Sequence, residues 1–334
     1  MKRWCAAFVC LSLVATVLCL KAYAWRVVDS SRVVSGFSRT LVAGNLVRLK
    51  ADTTYAKTTY AKTRQVSPPP ARIVSTSPSI TETLFALGLG SHVVGVSNYC
   101  RFPAGVNRLP KVGTFLRPSP ELIARLVPDL VILHAGPNDA AQQLATLRIP
   151  FITVDRGTLP SVFSTIKAIG KAVSAPDRAA ALVMSLETRL DRVRASVSGR
   201  PSKKVLIIMG RRAGTLTDLV AVGPRSYLHD LVGTAGGVNV LADSSLEYPR
   251  ISMESIIRLD PDVIIDAGDM GDTPDDRERR RTMTERLWSA QTLVRAARTG
   301  QVHAITSDIF VVPGPRVVEA AETMARWLDG VQTS

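Results

Sequence analysis

From Arg72 onward the chain alternates short apolar runs with amphipathic stretches. The runs at Arg72–Ser77, His92–Ser97, Asp129–His134, Ile149–Val154, Val205–Met209, Val263–Asp266 and Val302–Thr306 are continuous and rich in β-branched side chains. That is the pattern of strands buried on both faces. Between them, Ser79–Leu87, Pro120–Val127, Asp139–Leu147, Leu159–Val173, Tyr227–Thr234, Ser252–Leu259 and Arg316–Leu328 carry apolar residues at helical spacing. The alternation predicts parallel sheet covered by helices. Pro176–Ser198 reads as one uninterrupted helix. Ala179, Leu182, Val183, Leu186, Leu190, Val193 and Val197 form its apolar stripe, Pro176 and Asp177 suit its first turn, and Gly199-Arg200-Pro201 ends it. At ~1.5 Å per residue it spans about 33 Å, the width of a small domain. The predicted fold class is therefore α/β, with two Rossmann-like lobes (71–175 and 200–334) bridged by a single long α-helix over 176–199. Asp266–Arg281, dense in charge, reads as a loop.

The N-terminal region differs. Lys2 and Arg3 precede an apolar run from Trp4 to Leu20, and Ala22-Tyr23-Ala24 fits a small-x-small cleavage site, so residues 1–24 read as a cleaved signal peptide for export. Residues 25–70 lack sustained periodicity, repeat Thr-Thr-Tyr-Ala-Lys at 53–57 and 58–62, and end in Ser67-Pro68-Pro69-Pro70. They read as a poorly ordered basic linker, with Val33–Leu49 as an extra strand or helix. The net charge of +14 is concentrated here: three charges fall in 1–24, six in 25–70, and five in the rest. A mildly basic folded part without a nucleic-acid motif does not read as a nucleic-acid binder. Cys5, Cys10 and Cys19 lie in the leader, leaving Cys100 without an intramolecular disulfide partner.

The chain also repeats a phrase. Ser119-Pro-Glu121-Leu-Ile-Ala-Arg125-Leu-Val-Pro128-Asp129-Leu-Val-Ile132 returns as Ser252-Met-Glu254-Ser-Ile-Ile-Arg258-Leu-Asp-Pro261-Asp262-Val-Ile-Ile265. Each copy reads as a Ser-capped helix, a stop before Pro-Asp, and a buried strand. A carboxylate two positions into a helix is favoured by the dipole alone, by roughly 0.3–1 kcal/mol. That accounts for one glutamate but not for the recurrence of the phrase. Matched glutamates in two lobes suit docking on a partner with paired charges.

Candidate chemistry is sparse. No phosphate loop, Gly-x-Ser-x-Gly or His-Glu-x-x-His occurs, and Gly88-x-Gly90 follows a helix and lacks a third glycine. His92, His134, His229 and His303 are scattered, which gives metal ligation no support. The aromatics are more telling. Tyr99, Phe115 and Tyr248, with His134, fall at or beyond strand ends, where open α/β sheets bind ligands.

Several ordered motifs extend this picture. Arg72-Ile-Val-Ser-Thr-Ser-Pro-Ser-Ile-Thr-Glu82-Thr-Leu84, Val94–Cys100, Gly113-Thr-Phe115, Ala235–Val240, Tyr248–Glu254 and Pro313-Gly-Pro-Arg316 together resemble the cobalamin/siderophore/haem class of ABC-importer binding proteins, the cobalamin-binding branch most. The resemblance covers roughly 71–330. It implies a periplasmic solute-binding protein, not an enzyme, that holds cobalamin or a related corrinoid between its lobes. No cofactor or metal is implied. Tyr99, Phe115, His134 and Tyr248 match cleft-lining positions, Phe115 and His134 standing where a tryptophan can stand. Arg316 is either a donor to corrinoid amides or a structural ion pair. Glu121 and Glu254 match the family's docking glutamates, so the partner is an ABC importer permease dimer. Membrane contact would run through the permease only, nucleic acid is not expected, and the protein would be monomeric. Haem or a ferric siderophore is the alternative cargo, with His134 as an axial ligand for haem. An α/β oxidoreductase or hydrolase, and a scaffold using 25–70, are rivals from other classes.

Overall fold

The computed structural model describes residues 68–136, 139–268 and 274–330. The expected signal peptide, and the expected linker as far as residue 67 with its element at 33–49, lie outside the described residues. The described residues belong to one compact unit, Thr58–Ser334.

Four short apolar runs build the first sheet: β1 (Ile73–Ser75), β2 (Val93–Val96), β3 (Leu130–His134) and β4 (Phe151–Val154). All pair in parallel, in the order β2-β1-β3-β4, and every residue of β1 and β3 is buried. The crossovers are α1 (Pro78–Ala86) and α2 (Pro120–Arg125), then α3 (Ala140–Thr146), with α4 (Leu159–Ala172) following β4. Ser77 caps α1, its hydroxyl accepting from the Ile80 N–H at 3.4 Å, and Pro78 occupies the first turn, where a missing N–H costs nothing. The long helix α5 (Pro176–Val197) then buries Ala179, Val183, Leu186, Leu190 and Val193.

The second lobe comprises β5 (Lys203–Gly210), β6 (Leu219–Ala221), α6 (Tyr227–Thr234), β7 (Gly237–Asn239), β8 (Arg250–Ile251), α7 (Met253–Leu259), β9 (Val263–Asp266), α8 (Pro274–Ser289), α9 (Arg295–Arg298), β10 (Val302–Ala304) and α10 (Val317–Leu328). Its sheet runs β10-β9-β5-β6-β8, with β7 beside the start of β5. Parallel pairing holds among β10, β9, β5 and β7, but β6 runs antiparallel to both β5 and β8. The wholly parallel sheet expected from the sequence is thus confined to the first lobe. The two- and three-residue strands are too short to show a period.

The expected loop at 266–281 is corrected: its second half begins α8. A buried polar knot explains how so charged a helix docks. The Arg211 and Asp266 side chains are fully buried and paired at 3.1 Å. The Trp288 indole N–H donates to the same carboxylate at 2.7 Å, and Arg211 donates to the Thr284 hydroxyl at 2.6 Å.

The bridge is not the only link between lobes. One buried cluster includes Ile132 of β3, Ile169 of α4, Val183 of α5, Val205 of β5 and Met324 of α10, so the core is continuous. Three polar ties reinforce it. The Tyr227 N–H donates to the Gly157 carbonyl at 2.6 Å, and the Leu159 N–H donates to the Asp230 carboxylate at 2.7 Å. Arg316, just ahead of α10, donates through Nε to Glu82 of α1 at 3.0 Å and through Nη1 to Asp308 at 2.9 Å.

Candidate functional site

Loops beyond the strand ends of both lobes enclose one cleft of about 440 Å³, or about 1360 Å³ with its open mouth included. The first lobe contributes Ser77–Ser79, Tyr99, Arg101, Phe115, His134 and Arg156 to its wall. The second contributes Met209, Tyr227, Glu247, Tyr248, Arg277 and the Val311–Pro313 turn. Tyr99 is 57% exposed and Tyr248 41%, so neither side chain is sealed off from solvent. The Tyr248 hydroxyl lies 3.5 Å from that of Ser226, and burial pushes its pKa up. An apolar, aromatic wall with a few placed polar groups is the composition of a small-molecule site.

His134, the last residue of β3, is held on both sides. Its Nδ1 faces the Asp155 carbonyl at 3.2 Å and its Nε2 faces the Ser79 hydroxyl at 3.1 Å. Burial lowers its pKa to about 4, so the ring is neutral at physiological pH. A carbonyl only accepts, so Nδ1 carries the proton and Nε2 accepts from Ser79. The ring also meets Phe115 edge-on, with centroids 5.5 Å apart. Across the same Phe115 ring, the Arg156 guanidinium carbon stands 5.6 Å from the centroid.

Four of the residues nominated from sequence (Tyr99, Phe115, His134 and Tyr248) therefore line one cleft. Arg316 does not. Its guanidinium is taken up by Glu82 and Asp308 and lies 4.1 Å from the Phe102 ring centroid. Burial acts to lower its pKa, but the bonds to Glu82 and Asp308 outweigh that and raise it. Of the two roles open to it from sequence, the structure displays the ion pair. Sequence reasoning missed Arg101, Arg156 and Arg277. Arg156 lies just past the end of β4, so the strand-end logic that found Tyr99 applied to it equally.

The repeated phrase folds the same way twice. Ser119 and Ser252 cap α2 and α7, their hydroxyls accepting from Leu122 N–H at 3.2 Å and Ser255 N–H at 3.3 Å. Each helix stops at a left-handed residue, Val127 (φ 44°) in one copy and Asp260 (φ 48°) in the other. The next aspartate then clips the neighbouring strand. Asp129 accepts from the Ala71 and Arg72 N–H groups at 2.9 Å, and Asp262 accepts from the Lys204 N–H at 2.8 Å. Ser and Asp thus recur for the fold itself. Glu121 and Glu254 are both exposed on the first turns of their helices, where the dipole favours a carboxylate. The pKa of Glu121 is lowered by its own backbone N–H and by the Ser119 hydroxyl, which donates to it at 2.8 Å.

Among the described residues no cluster of three or more His, Cys, Asp or Glu could hold a metal ion, and no helix is long and apolar enough to cross a membrane. Residues 73–309 match the family described as periplasmic binding protein. A vitamin B12-binding protein of Salmonella typhimurium is 29% identical over 262 residues, 78% of this chain and 91% of the relative. An uncharacterized ABC transporter substrate-binding lipoprotein of Bacillus subtilis is 28% identical, covering 77% of this chain and 79% of its own. The solved structure of a periplasmic haem-binding protein from Roseiflexus superimposes with a TM-score of 0.66 at 26% identity, covering 78% of this chain and 99% of the other. With two α/β lobes around an aromatic cleft and a family match over most of its folded length, this chain belongs to the periplasmic binding proteins, the extracytoplasmic solute-binding components of transporters rather than enzymes.

Proposed function

We propose that the chain captures cobalamin or a related corrinoid in the interlobe cleft and delivers it to the permease dimer of an ABC importer. The observation that carries this reading is the convergence of Tyr99, Phe115 and Tyr248 on one cleft. Flat aromatic faces suit a flat macrocycle, and the name of the Salmonella typhimurium relative supports that cargo. Glu121 and Glu254 would each meet one permease subunit, their charges setting the register of docking. Residues 1–24 would be the cleaved signal peptide that brings the chain to the periplasm, and the chain would act as a monomer whose lobes, 71–175 and 200–334, tilt only slightly about the 176–199 bridge.

Haem is the second reading, favoured by the name of the Roseiflexus neighbour. His134 speaks against its own part in it. Axial ligation would need the Nε2 lone pair that accepts from Ser79, and the ring would have to leave a buried, doubly bonded position. An absorbance titration with cyanocobalamin, haemin and ferric siderophores decides between cargoes. Saturable one-to-one binding of the corrinoid is expected. Binding of haemin or a siderophore with no corrinoid response would overturn the proposal.

A further inference from the structure

The cleft wall contains a charge pattern that aromatic stacking does not use. Arg156 stands exposed at the end of β4 with its guanidinium over Phe115. No hydrogen bond or ion pair engages it among the described residues, although its charge is felt by both His134 and Tyr248. Arg101, from the loop after β2, and Arg277, from α8, line the same cleft from the two lobes. The lining carboxylates are Glu247 and Asp308, and Asp308 is already paired with Arg316 at 2.9 Å. His134 adds no positive charge, but the residues opening α1, Ser77–Ser79, bring the positive end of that helix to the wall. The lining thus holds three arginines, Arg101, Arg156 and Arg277, beside two carboxylates, and Arg156 is the one that stands over an aromatic ring.

We infer that this wall is an oxyanion subsite for a phosphodiester or carboxylate borne by the cargo, with Arg156 as its specificity-determining residue. The inference rests on the cleft being the cargo site. With its guanidinium carbon 5.6 Å from the Phe115 centroid, Arg156 keeps its N–H groups as a fork for two oxygens. In a corrinoid the matching anion is the phosphodiester of the nucleotide loop. In a porphyrin or an iron chelate it is a carboxylate.

The test compares the wild type with Arg156→Gln, which keeps a planar polar tip and removes the charge at an exposed position. Calorimetry is run with two matched pairs: cyanocobalamin against cobinamide, which lacks the phosphodiester, and protoporphyrin IX against its dimethyl ester. The substitution should weaken the oxyanion-bearing member of a pair about ten- to a hundredfold, the range of a charge-assisted bond. The member lacking the oxyanion should lose less than about twofold, well inside one charge-assisted bond. Added salt should weaken the oxyanion-bearing member in the wild type and much less in the variant. Equal losses within a pair, or no loss, overturn the inference. If cyanocobalamin binds both proteins alike, the corrinoid reading stands and the subsite falls. If only the porphyrin binds, and Arg156→Gln weakens it selectively, the subsite stands and the corrinoid reading falls. Should neither pair bind, inorganic pyrophosphate is the probe: it should raise the melting temperature of the wild type and not of the variant, and an equal response in both overturns the inference.

Discussion

Glu82 and Arg316 meet across the two lobes, and replacing Arg316 by Met isolates what that pairing does. The Glu82 side chain is 3% exposed and that of Arg316 14%. Burial is the chief force raising the Glu82 pKa, and the hydrogen bond and charge of Arg316 are the chief forces opposing it. Removing the guanidinium strands a buried carboxylate, a change that costs roughly 3–5 kcal/mol. Asp308, with a third of its side chain in water, loses much less. The stranded carboxylate has an escape, which is to take up a proton. A carboxyl whose folded pKa exceeds its unfolded value stabilises the fold at low pH and loses that contribution as pH rises through the folded pKa. The slope is at most about 1.4 kcal/mol per pH unit for one proton. The wild type shares the direction but not the extent, because Arg316 holds the Glu82 pKa down. Urea unfolding followed by circular dichroism should therefore show a deficit for Arg316→Met that is small at pH 5 and grows toward pH 8. The double variant Glu82→Gln/Arg316→Met leaves neither charge buried and should recover most of the loss. A deficit equal at pH 5 and pH 8, or a double variant weaker than Arg316→Met, would refute this reasoning.

Other sites give three further expectations. Reversing both exposed carboxylates in Glu121→Lys/Glu254→Lys should abolish uptake in cells while cargo affinity stays within about twofold, since rim charges govern docking rather than the cleft; unimpaired uptake would remove the docking role. Tyr99→Ala and Tyr248→Ala should each weaken corrinoid binding by more than their lost area implies, by about 0.5–1.5 kcal/mol for the ring contact, whereas Tyr248→Phe should bind nearly as the wild type does. His303 stacks on Trp327 at 4.6 Å with its Nε2 buried and unpartnered among the described residues, and burial lowers its pKa to about 4. Between that value and about 6.5 the unfolded chain binds the proton that the folded chain refuses, so stability present above pH 6.5 is lost as pH falls toward 4. His303→Phe keeps the stack and should raise the melting temperature, more at pH 5 than at pH 7; an unchanged pH profile would exclude His303 as a source of acid sensitivity.

Much of the fold was legible because its parts are local. The β-branched runs of β1, β3, β5 and β9 are buried as their composition demands, and the serines at 77, 119 and 252 cap helices as their type predicts. The elements that escaped depend on distant partners. The helix α8 is anchored through Trp288 and Thr284 to Asp266 and Arg211, which no periodicity within 274–289 announces. The strands β6 and β8 exist because they pair, and are too short to declare themselves. The site divides in the same way. Tyr99, Phe115, His134 and Tyr248 were reachable because ligands gather at the carboxyl ends of strands. Arg277 enters from a helix not foreseen, and Arg316 was settled by a carboxylate 234 positions earlier in the chain.

The left-handed turn closing α2 has a consequence for hardening the molecule. Val127 adopts φ 44° with a β-branched side chain that is 72% exposed, so no packing offsets the steric conflict of about 1–2 kcal/mol. Its counterpart Asp260 belongs to a residue type that tolerates this geometry and is ion-paired with Arg295. Arg72 grips the first turn through the Leu126 and Val127 carbonyls, which keeps the backbone in place whatever side chain it carries. A glycine or asparagine at 127 would therefore relax a strained joint at the surface, at a residue outside the cleft lining.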